Sequence, residues 1–422
     1  MLDDLAYSSA RHPMLWNSLA TIHLLRRGLA SSHWPAQKLR EWQWQRLRRV
    51  LIHAYQRVPM YRELYDRAGF HPCSLRSIGD IGRVPVLTKD RLRTTAPQNR
   101  LAQGMGLDDC RVIATSGSSG SPLQLYFNAA DQRWQRATAW RVLFEHGYRL
   151  SDRTMEIRVI FGDRFFIQSL GVARKDWLSL LDPPSSWLSH LERTRPEVLV
   201  AGASTLAALA EACSGNQPTH RPRLIFSDSE PLTPTMRDLI RRRLGSDPID
   251  MFGLAELSNF AWQCEKRAGF HISADSHLVE VDDNGAMVVT DLGLWGAPMV
   301  RYHTGDHAEW EPLPCSCGRS LPHLRQIHGR AIESIVLPSG RRVFWPFFHE
   351  VLGAFSEIRQ WRVVAPPGQT PLVQLAAEPA VVPVVRRALV EAVPEASDWA
   401  IEALTEIPRR PGNKQPLVLT TP

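Results

Sequence analysis

The sequence predicts an α/β protein with a large N-terminal layered domain, residues 1–328, and a small C-terminal α+β domain, residues 329–422. One observation is the order of elements between residues 223 and 252, where a strand, a polar loop, an amphipathic helix and a second strand follow one another. Another is the turn Asp282-Asp-Asn-Gly285, which separates two apolar segments and is typical of an antiparallel hairpin. After residue 330 the pattern changes to short strands around one predicted helix, which indicates a second, smaller unit.

The predicted helices depend on apolar spacing and capping signals. Apolar residues recur at helical spacing over residues 41–55, and Leu19–Leu29 is apolar in part, as in an amphipathic surface helix. Asn128 can cap the helix that follows it, because its side chain can accept from a free backbone N–H of the first turn. Thr233 can do the same for a helix with Pro234 at its first position.

The segment Thr115–Pro122 reads Thr-Ser-Gly-Ser-Ser-Gly-Ser-Pro and carries the strongest functional signal. Gly117 and Gly120 allow close backbone approach to a ligand, and successive N–H groups in such a turn can form an anion-binding nest. Residues 111–114 and 123–127 have strand character, so the loop joins strand to strand. A Walker A loop is excluded because no lysine follows the second glycine. The segment predicts a phosphate-binding loop, with a flexible serine–glycine linker as the alternative.

Composition excludes several classes of function. The net charge is +7 without a stripe of interleaved basic and aromatic residues, so no nucleic-acid partner is predicted. Six cysteines in 422 residues do not make a disulfide framework. No run approaches 18 apolar residues and the N-terminus lacks a secretory pattern, so we expect a cytoplasmic protein without an integral membrane segment. An anionic small substrate would fit the mild basicity.

Four further motifs present single polar residues after strand-like or loop segments. Phe252 and Glu256 end one strand, where an aromatic ring could stack on a base and a carboxylate could hold Mg²⁺. Asp306 follows a strand and a glycine, Arg330 stands alone at the predicted domain junction, and Lys414 lies in a loop rich in glycine and proline. The alternative for each is an ordinary strand end or solvated loop.

Three thiols and one imidazole form a candidate zinc set. Cys264 and His271 have the spacing Cys-x6-His, and Cys315 and Cys317 could supply two ligands from one loop. A structural zinc site and an ordinary buried thiol beside a satisfied histidine both remain open at this point.

The order of these motifs resembles that of the adenylate-forming superfamily of acyl-CoA ligases. Within it the chain is similar to the phenylacetate–CoA ligase branch and its relatives in capsular polysaccharide synthesis. The segments His53–Tyr61, Ile81–Lys89 and Cys315–Arg319 match that branch, and Ser229-Glu-Pro231 supplies a further motif of the series. The resemblance covers roughly residues 40–418.

This resemblance implies a nucleotide site assembled from several motifs. The residues implied to wrap the ATP phosphates are Thr115, Ser116, Gly117, Ser118, Ser119 and Gly120. Those implied to line the adenine are Ser229, Glu230, Pro231, Phe252 and Gly253. Asp306 is implied to accept the ribose hydroxyls, and Arg330 to bind ribose or phosphate.

The implied activity is ligation of a small carboxylic acid to CoA through an acyl- or aryl-adenylate, with ATP and Mg²⁺ as cofactors. Glu256 is implied to bind the Mg²⁺. Lys414 is implied to reach the carboxylate and the α-phosphate from a small mobile lid, which then rotates and presents a second face for thiol attack.

The departures from the family pattern keep other functions open. Leu123 and Ala255 replace residues common in relatives, and Ile332 stands where the family has an acid at the hinge. An adenylating enzyme could therefore pass its acyl group to a carrier protein or an amine, or adenylylate a deazaflavin-type cofactor. A non-catalytic nucleotide-binding scaffold is the alternative from another class. The residues that hint at an aromatic or apolar acid, or that belong to the core, are Trp140, Phe161, Phe165, Phe166 and Trp177.

Overall fold

The structure is a computed structural model. It describes residues 14–114, 123–158, 168, 171–213, 218–330, 334–340, 342–355, 357–358, 360–366, 368–407 and 418–419.

Helices dominate the first hundred residues. Their bounds are α1 Met14–Ser31, α2 Ala36–Arg57, α3 Pro59–Arg67, α4 Lys89–Thr94 and α5 Pro97–Arg100, with 3-10 turns at Pro72–Ser74, Ile78–Arg83 and Leu107–Asp109. The predicted helix at residues 41–55 lies within α2, whose apolar stripe includes Leu47, Val50 and Leu51 in the main core. Among the described residues no helix is long and apolar enough to cross a membrane.

Two short strands frame the hydroxyl-rich loop. Strand β1 (Arg111–Ala114) pairs antiparallel with β2 (Gln124–Phe127), with Ala114 opposite Gln124. The predicted strand-to-strand connection is therefore confirmed, and it differs from a strand-to-helix phosphate loop. The loop itself, Thr115–Pro122, lies outside the described residues.

One large sheet organises the chain. Eleven strands of the described ranges join it in the order β10-β11-β12-β13-β9-β8-β7-β6-β5-β3-β4. Their bounds are β3 Thr154–Arg158, β4 Lys175–Ser179, β5 Val198–Gly202, β6 Leu224–Asp228, β7 Ile249–Leu254, β8 Ser258–Trp262, β9 Phe270–Ile272, β10 His277–Val281, β11 Ala286–Asp291, β12 Tyr302–Glu311 and β13 His323–Arg330. Strands β3 to β7 pair in parallel, whereas β7 to β13 pair antiparallel. Strand β7 therefore borders both halves.

Helices cover the sheet as an α/β layered fold requires. They are α6 Ala129–Glu145, α7 Pro184–Thr194, α8 Ala203–Ala212 and α9 Pro234–Leu244. The predicted caps are confirmed: Asn128 accepts from Asp131 N at 2.8 Å and Thr233 from Met236 N at 3.3 Å. Helices α7 to α9 share a separate apolar cluster with β3, β5 and β6. These helices therefore pack against the parallel half of the sheet. The predicted hairpin forms as β10 and β11.

The C-terminal residues have a core of their own. Strands β16 Gln360–Val364, β17 Leu372–Ala376, β18 Ala400–Leu404 and β19 Val418–Leu419 form a sheet in the order β18-β17-β16-β19, and β14 Ser334–Val336 pairs with β15 Arg342–Phe344. Helices α10 Trp345–Gly353 and α11 Val382–Ala392 accompany them, with 3-10 turns at Pro379–Val381 and Pro394–Asp398. Their buried side chains form a cluster from Ile335 to Val418 that is distinct from the main core. The mixed α/β class is confirmed, and the boundary at residues 328/329 stays a prediction.

Candidate functional site

Glu256 lies in the turn between β7 and β8, at the carboxyl end of the last parallel strand. Open α/β sheets bind ligands at this end of their parallel strands. The residue is only 4% exposed. The Tyr302 hydroxyl donates to Glu256 Oε1 at 2.9 Å, and Lys89 Nζ lies 3.9 Å from the same oxygen. The carboxylate is thus held between a phenol and an ammonium group.

Backbone pairing explains how these three residues meet. Leu87 forms a bridge with Tyr302 at the start of β12: Leu87 N donates to Arg301 O, and His303 N donates to Leu87 O, both at 2.9 Å. The segment Ile81–Lys89 is therefore anchored to the Arg301–Asp306 motif, and Lys89 follows two residues after the bridge. Sequence reasoning missed Lys89 and Tyr302 as site residues, although both belong to motifs that carried the resemblance.

Phe252 and Gly253 lie at an irregularity in the β7–β8 pairing. Phe252 is partly exposed, and its ring centroid lies 5.6 Å from that of Phe260 in an edge arrangement. A Cβ on Gly253 would collide with the Ser258 carbonyl and the Asn259 side chain, so the close hairpin requires glycine here. The aromatic ring is consequently presented beside the turn that holds Glu256.

Asp306 and Arg330 lie opposite each other on β12 and β13. Asp306 is 4% exposed, and its backbone N–H donates to Thr304 Oγ1 at 3.0 Å. Gly329 has φ +86°, and a Cβ on it would lie 3.7 Å from Pro231 Cγ. The structure therefore brings the Arg-Tyr-x-Thr-Gly-Asp, Gly-Arg and Ser-Glu-Pro motifs together.

The Ser229–Pro231 loop leaves the end of β6 in a constrained conformation. Ser229 has φ +67°, in the left-handed region that non-glycine residues seldom adopt. Glu230 Oε1 accepts from Ser204 N at 2.8 Å and from Ser204 Oγ at 2.6 Å, at the start of α8. Gly202 makes room, because its Cβ would lie 2.7 Å from that oxygen. The Glu230 carboxylate thus fixes the loop to the helix.

A charged cluster that sequence reasoning missed lies beside this loop. Arg158 at the end of β3 binds Asp228 at the end of β6, with Nη1 2.6 Å and Nη2 2.5 Å from its two oxygens. Arg158 Nε also lies 2.9 Å from Glu156 Oε1, and Lys175 Nζ lies 2.7 Å from Glu156 Oε2. Burial opposes ionisation of Glu156, but the two cations more than offset it and lower its pKa to about 2. In the sequence, the only indication of this cluster was that its charged residues stand at or near the ends of strands.

Several predicted residues lie outside the described part of the chain. They are Thr115, Ser116, Gly117, Ser118, Ser119, Gly120, Phe161, Phe165, Phe166, Ile332 and Lys414. Of the other aromatic candidates for the acid pocket, Trp140 packs against the main core. Trp177 lies half-buried in β4, where Lys175 Nζ is 5.8 Å from its ring centroid.

Cys264, His271, Cys315 and Cys317 meet in space, although 53 residues separate the first from the last. One ligand atom from each lies within 4.8 Å of the others. Cys264 Sγ is 3.7 Å from Cys315 Sγ, and Cys317 Sγ is 3.3 Å from His271 Nε2. Cys264 and His271 are fully buried, whereas the two loop cysteines are partly buried. A tetrahedral thiolate and imidazole site has this composition.

The electrostatics of the four side chains differ. Burial raises the pKa of Cys264 to about 12 and lowers that of His271 to about 4, so the imidazole is neutral at physiological pH. Burial also opposes ionisation of Cys317, but hydrogen bonds from the Arg319 backbone and side chain outweigh it and lower the pKa of this thiol. A neutral imidazole and a readily ionised thiol are the forms that bind metals.

Comparisons with known proteins show which proteins the chain is similar to. No protein-family profile matches the chain. A phenylacetate-coenzyme A ligase of Thermus thermophilus is 29% identical over 348 residues, which are 77% of this chain and 77% of the relative. The enzyme of the same name from Escherichia coli is 28% identical over 348 residues, 76% and 77% of the two chains. A solved 2-hydroxyisobutyryl-CoA ligase, in the postadenylation state with R3-HIB-AMP, superposes with a TM-score of 0.74 at 23% identity, covering 93% of this chain and 91% of that one.

Proposed function

We propose that this chain, a member of the adenylate-forming superfamily and a homologue of the phenylacetate–CoA ligases, activates a carboxylic acid with ATP and transfers the acyl group to CoA. The single observation that carries the proposal is the convergence at Glu256. There a carboxylate, the Tyr302 hydroxyl and the Lys89 ammonium group come from three separate motifs. The Asp306–Arg330 strand pair and the Ser229–Pro231 loop approach each other where Gly329 faces Pro231.

Two substitutions make up the reaction. A carboxylate oxygen of the acid attacks the α-phosphorus of ATP, and the bond to pyrophosphate breaks to give an acyl-adenylate. The thiolate of CoA then attacks the acyl carbon, and AMP leaves. Neither step needs a covalent nucleophile from the protein, so positioning and positive charge supply the catalysis.

Glu256 is the proposed ligand of Mg²⁺. Magnesium is usually held by one or two carboxylates together with substrate phosphates and water, and one buried carboxylate at a strand end fits that pattern. When bound, the ion neutralises charge on the phosphates. Tyr302 orients the carboxylate, and Lys89 adds a positive charge at its edge that can face the leaving pyrophosphate.

The remaining nucleotide contacts are proposed from the resemblance and the placement of their neighbours. The hydroxyl loop, Thr115–Gly120, would clamp the triphosphate between β1 and β2. Phe252 and the Ser229–Pro231 loop would line the adenine, with Asp306 at the ribose and Arg330 at ribose or phosphate. Lys414 would contact the carboxylate and the α-phosphate.

We assign residues 329–422 to a lid over this site. Helix α10 of that region contacts the N-terminal domain: Thr235 N donates to Glu350 Oε1 at 3.1 Å, and Thr235 Oγ1 donates to Glu350 Oε2 at 2.5 Å. The Phe344 ring stacks on His328 with centroids 4.8 Å apart. Rotation of this unit between the two half-reactions would have to break such contacts.

The second metal in the proposal is a structural Zn²⁺ held by Cys264, His271, Cys315 and Cys317. All four donors come from the protein, so the set leaves no position for water or substrate and supports a structural role over a catalytic one.

An acceptor other than CoA is the second candidate. The observation that favours it is Ile332, which stands in place of the hinge acid that the resemblance leads us to expect. A carrier-protein thiol or an amine would then receive the acyl group, or a deazaflavin-type cofactor would be adenylylated. The cytoplasmic location stays a prediction.

Pyrophosphate exchange across a panel of aryl and alkyl carboxylic acids, with and without CoA, tests the proposal. We expect ATP-dependent exchange with at least one acid, and thioester formation when CoA is added. Exchange without CoA turnover would select the second candidate. No exchange with any acid, from protein that binds ATP, would instead favour a nucleotide-binding scaffold.

A further inference from the structure

The loop between β12 and β13 carries both Cys315 and Cys317 and then reaches towards the N-terminal helices. It spans residues 312–322, and most of it is exposed to solvent, with Leu313 70% exposed. The part of the loop before Leu321 has no fully buried apolar side chain to hold it in one conformation. Cys315, Cys317 and Leu321 are the parts of the loop that pack inward against the main core, and Leu321 is only 4% exposed.

The residues that follow the cysteines contact the corner between α1 and α2. Ser320 N and Ser320 Oγ donate to Ser32 O at 3.0 and 3.2 Å, and Ser320 Oγ also donates to Trp34 O at 2.5 Å. Ser31 and Ser32 at this corner are fully buried. The loop therefore covers the point where the chain turns from its first helix into its second.

Arg319 connects the thiol cluster to the same corner. Arg319 lies two residues after Cys317, and its Nε lies 3.1 Å from Glu145 Oε2 at the end of α6. The other carboxylate oxygen of Glu145 accepts from the Ser32 hydroxyl. The guanidinium carbon also lies 5.3 Å from the centroid of the Trp262 ring, at the end of β8. A continuous series of contacts thus runs from the cluster to the α1–α2 corner.

We infer that a zinc ion at this cluster fastens the N-terminal helices to the sheet, by fixing loop 312–322 so that Arg319 and Ser320 hold the α1–α2 corner. The inference rests on the zinc site of the proposed function, but not on its adenylating activity. The ion joins the turn after β8, strand β9 and the β12–β13 loop, which are separate in sequence.

Charge balance supports this arrangement. Zinc with three thiolates and one neutral imidazole carries a net charge of −1, which a neighbouring cation stabilises. Arg319, two residues after Cys317, is a cation close to the cluster in sequence, and its guanidinium also pairs with Glu145 and with Glu265, whose carboxylate lies 2.9 Å from its Nη1. Such partners orient the ligands of structural zinc sites and tune their charge.

Metal content is the first test. We expect about one zinc per chain in the full-length protein purified without added metal, and loss of most of it in Cys317→Ser. The matched control is Cys213→Ser, a buried cysteine outside the cluster, which should keep its zinc. A wild-type zinc content near zero, or a Cys264–Cys315 disulfide found by mass spectrometry, would overturn the inference.

Hydrogen–deuterium exchange tests the fastening. Chelation of zinc from the wild-type protein should accelerate amide exchange at the α1–α2 corner, residues 28–36, by about tenfold or more, while exchange in β17 stays unchanged. Arg319→Ala, measured in excess zinc so that the site stays occupied, should still accelerate amide exchange at the corner, because the link between the loop and Glu145 is lost. Bound zinc whose removal leaves exchange at the corner unchanged would contradict the inference.

Pyrophosphate exchange measured on the same samples separates the two proposals. A zinc-loaded protein that shows a chelator-sensitive corner but no activation of any acid would refute the ligase activity and support the fastening. An active ligase that lacks zinc would refute the fastening and support the ligase activity.

Discussion

The two ends of strand β8 carry side-chain clusters of opposite character. Before the strand begins, Glu256 meets one phenol and one ammonium group. After it ends, Cys264 meets two thiols and an imidazole, a set that is complete by itself. At about 3.3 Å per residue the five residues of the strand account for roughly 17 Å between the two clusters.

The proposed roles of the two clusters differ in whether protein groups alone complete the set of metal donors. A donor set that is closed by protein groups holds structure together, because no position remains for a substrate. A buried carboxylate with few partners depends on its ligand to complete it, which is typical of a site that binds and releases. Four variants, ordered by their expected effect on pyrophosphate exchange, test this contrast.

Glu256→Gln should have the largest effect, a loss of about 10²- to 10³-fold in pyrophosphate exchange, because an amide cannot hold Mg²⁺ as a carboxylate does. The thermal midpoint should change little. Glu265→Gln is the control, since Glu265 lies beyond the other end of β8 and its side chain is 53% exposed. Equal losses of pyrophosphate exchange in both variants would contradict the assignment of Mg²⁺ binding to Glu256.

Lys89→Met should lower pyrophosphate exchange by about 10- to 100-fold, mainly through a higher KM for ATP or slower cleavage of the bond to the leaving pyrophosphate. The Nζ group of Lys89 lies 3.9 Å from Glu256, and its side chain is 24% exposed, so solvent screens part of its charge. Lys266→Met, an exposed lysine two residues after Cys264, is the matched control. Steady-state kinetics with varied ATP would measure both, and a Lys89 variant with wild-type kinetics would contradict this assignment.

Tyr302→Phe should reduce kcat/KM by about three- to tenfold, because the carboxylate loses one hydrogen bond but keeps its place in the turn. Tyr55→Phe removes a comparable hydroxyl-to-carboxylate bond, to Asp66 at 3.0 Å, away from the site. It should leave kcat/KM unchanged. A loss in the Tyr302 variant as large as that of Glu256→Gln would mean that the hydroxyl contacts the substrate itself.

Cys264→Ser should have the smallest effect on exchange per folded molecule and a clear effect on stability. We expect the thermal midpoint to fall by roughly 5–10 °C, since a metal ligand is lost and a buried hydroxyl replaces it. Differential scanning calorimetry would measure the thermal midpoint, and pyrophosphate exchange at 10 °C would measure the activity of the folded molecules. A stable variant with strongly reduced exchange would place the metal in the catalytic machinery instead.

Sequence reasoning succeeded where the signal was local or consisted of ordered motifs. The caps at Asn128 and Thr233, the hairpin of β10 and β11 and the strands on both sides of the hydroxyl loop follow from short-range rules and are confirmed. The ordered motifs indicated the superfamily, which the comparisons bear out. The roles of Lys414 and of Thr115–Gly120 stay predictions.

The fold class, the superfamily resemblance, Glu256 as a candidate Mg²⁺ ligand and the four candidate zinc ligands could all be predicted from the sequence, because capping, hairpin turns and motif order are written in neighbouring residues. Only the tertiary structure decided which of those residues meet. It brought Lys89 to Glu256 through the Leu87–Tyr302 bridge, and it joined Cys264 to a loop some fifty residues later. The physical reason is that β-sheet pairing sets such contacts, and pairing between distant segments depends on the packing of the whole domain rather than on local sequence.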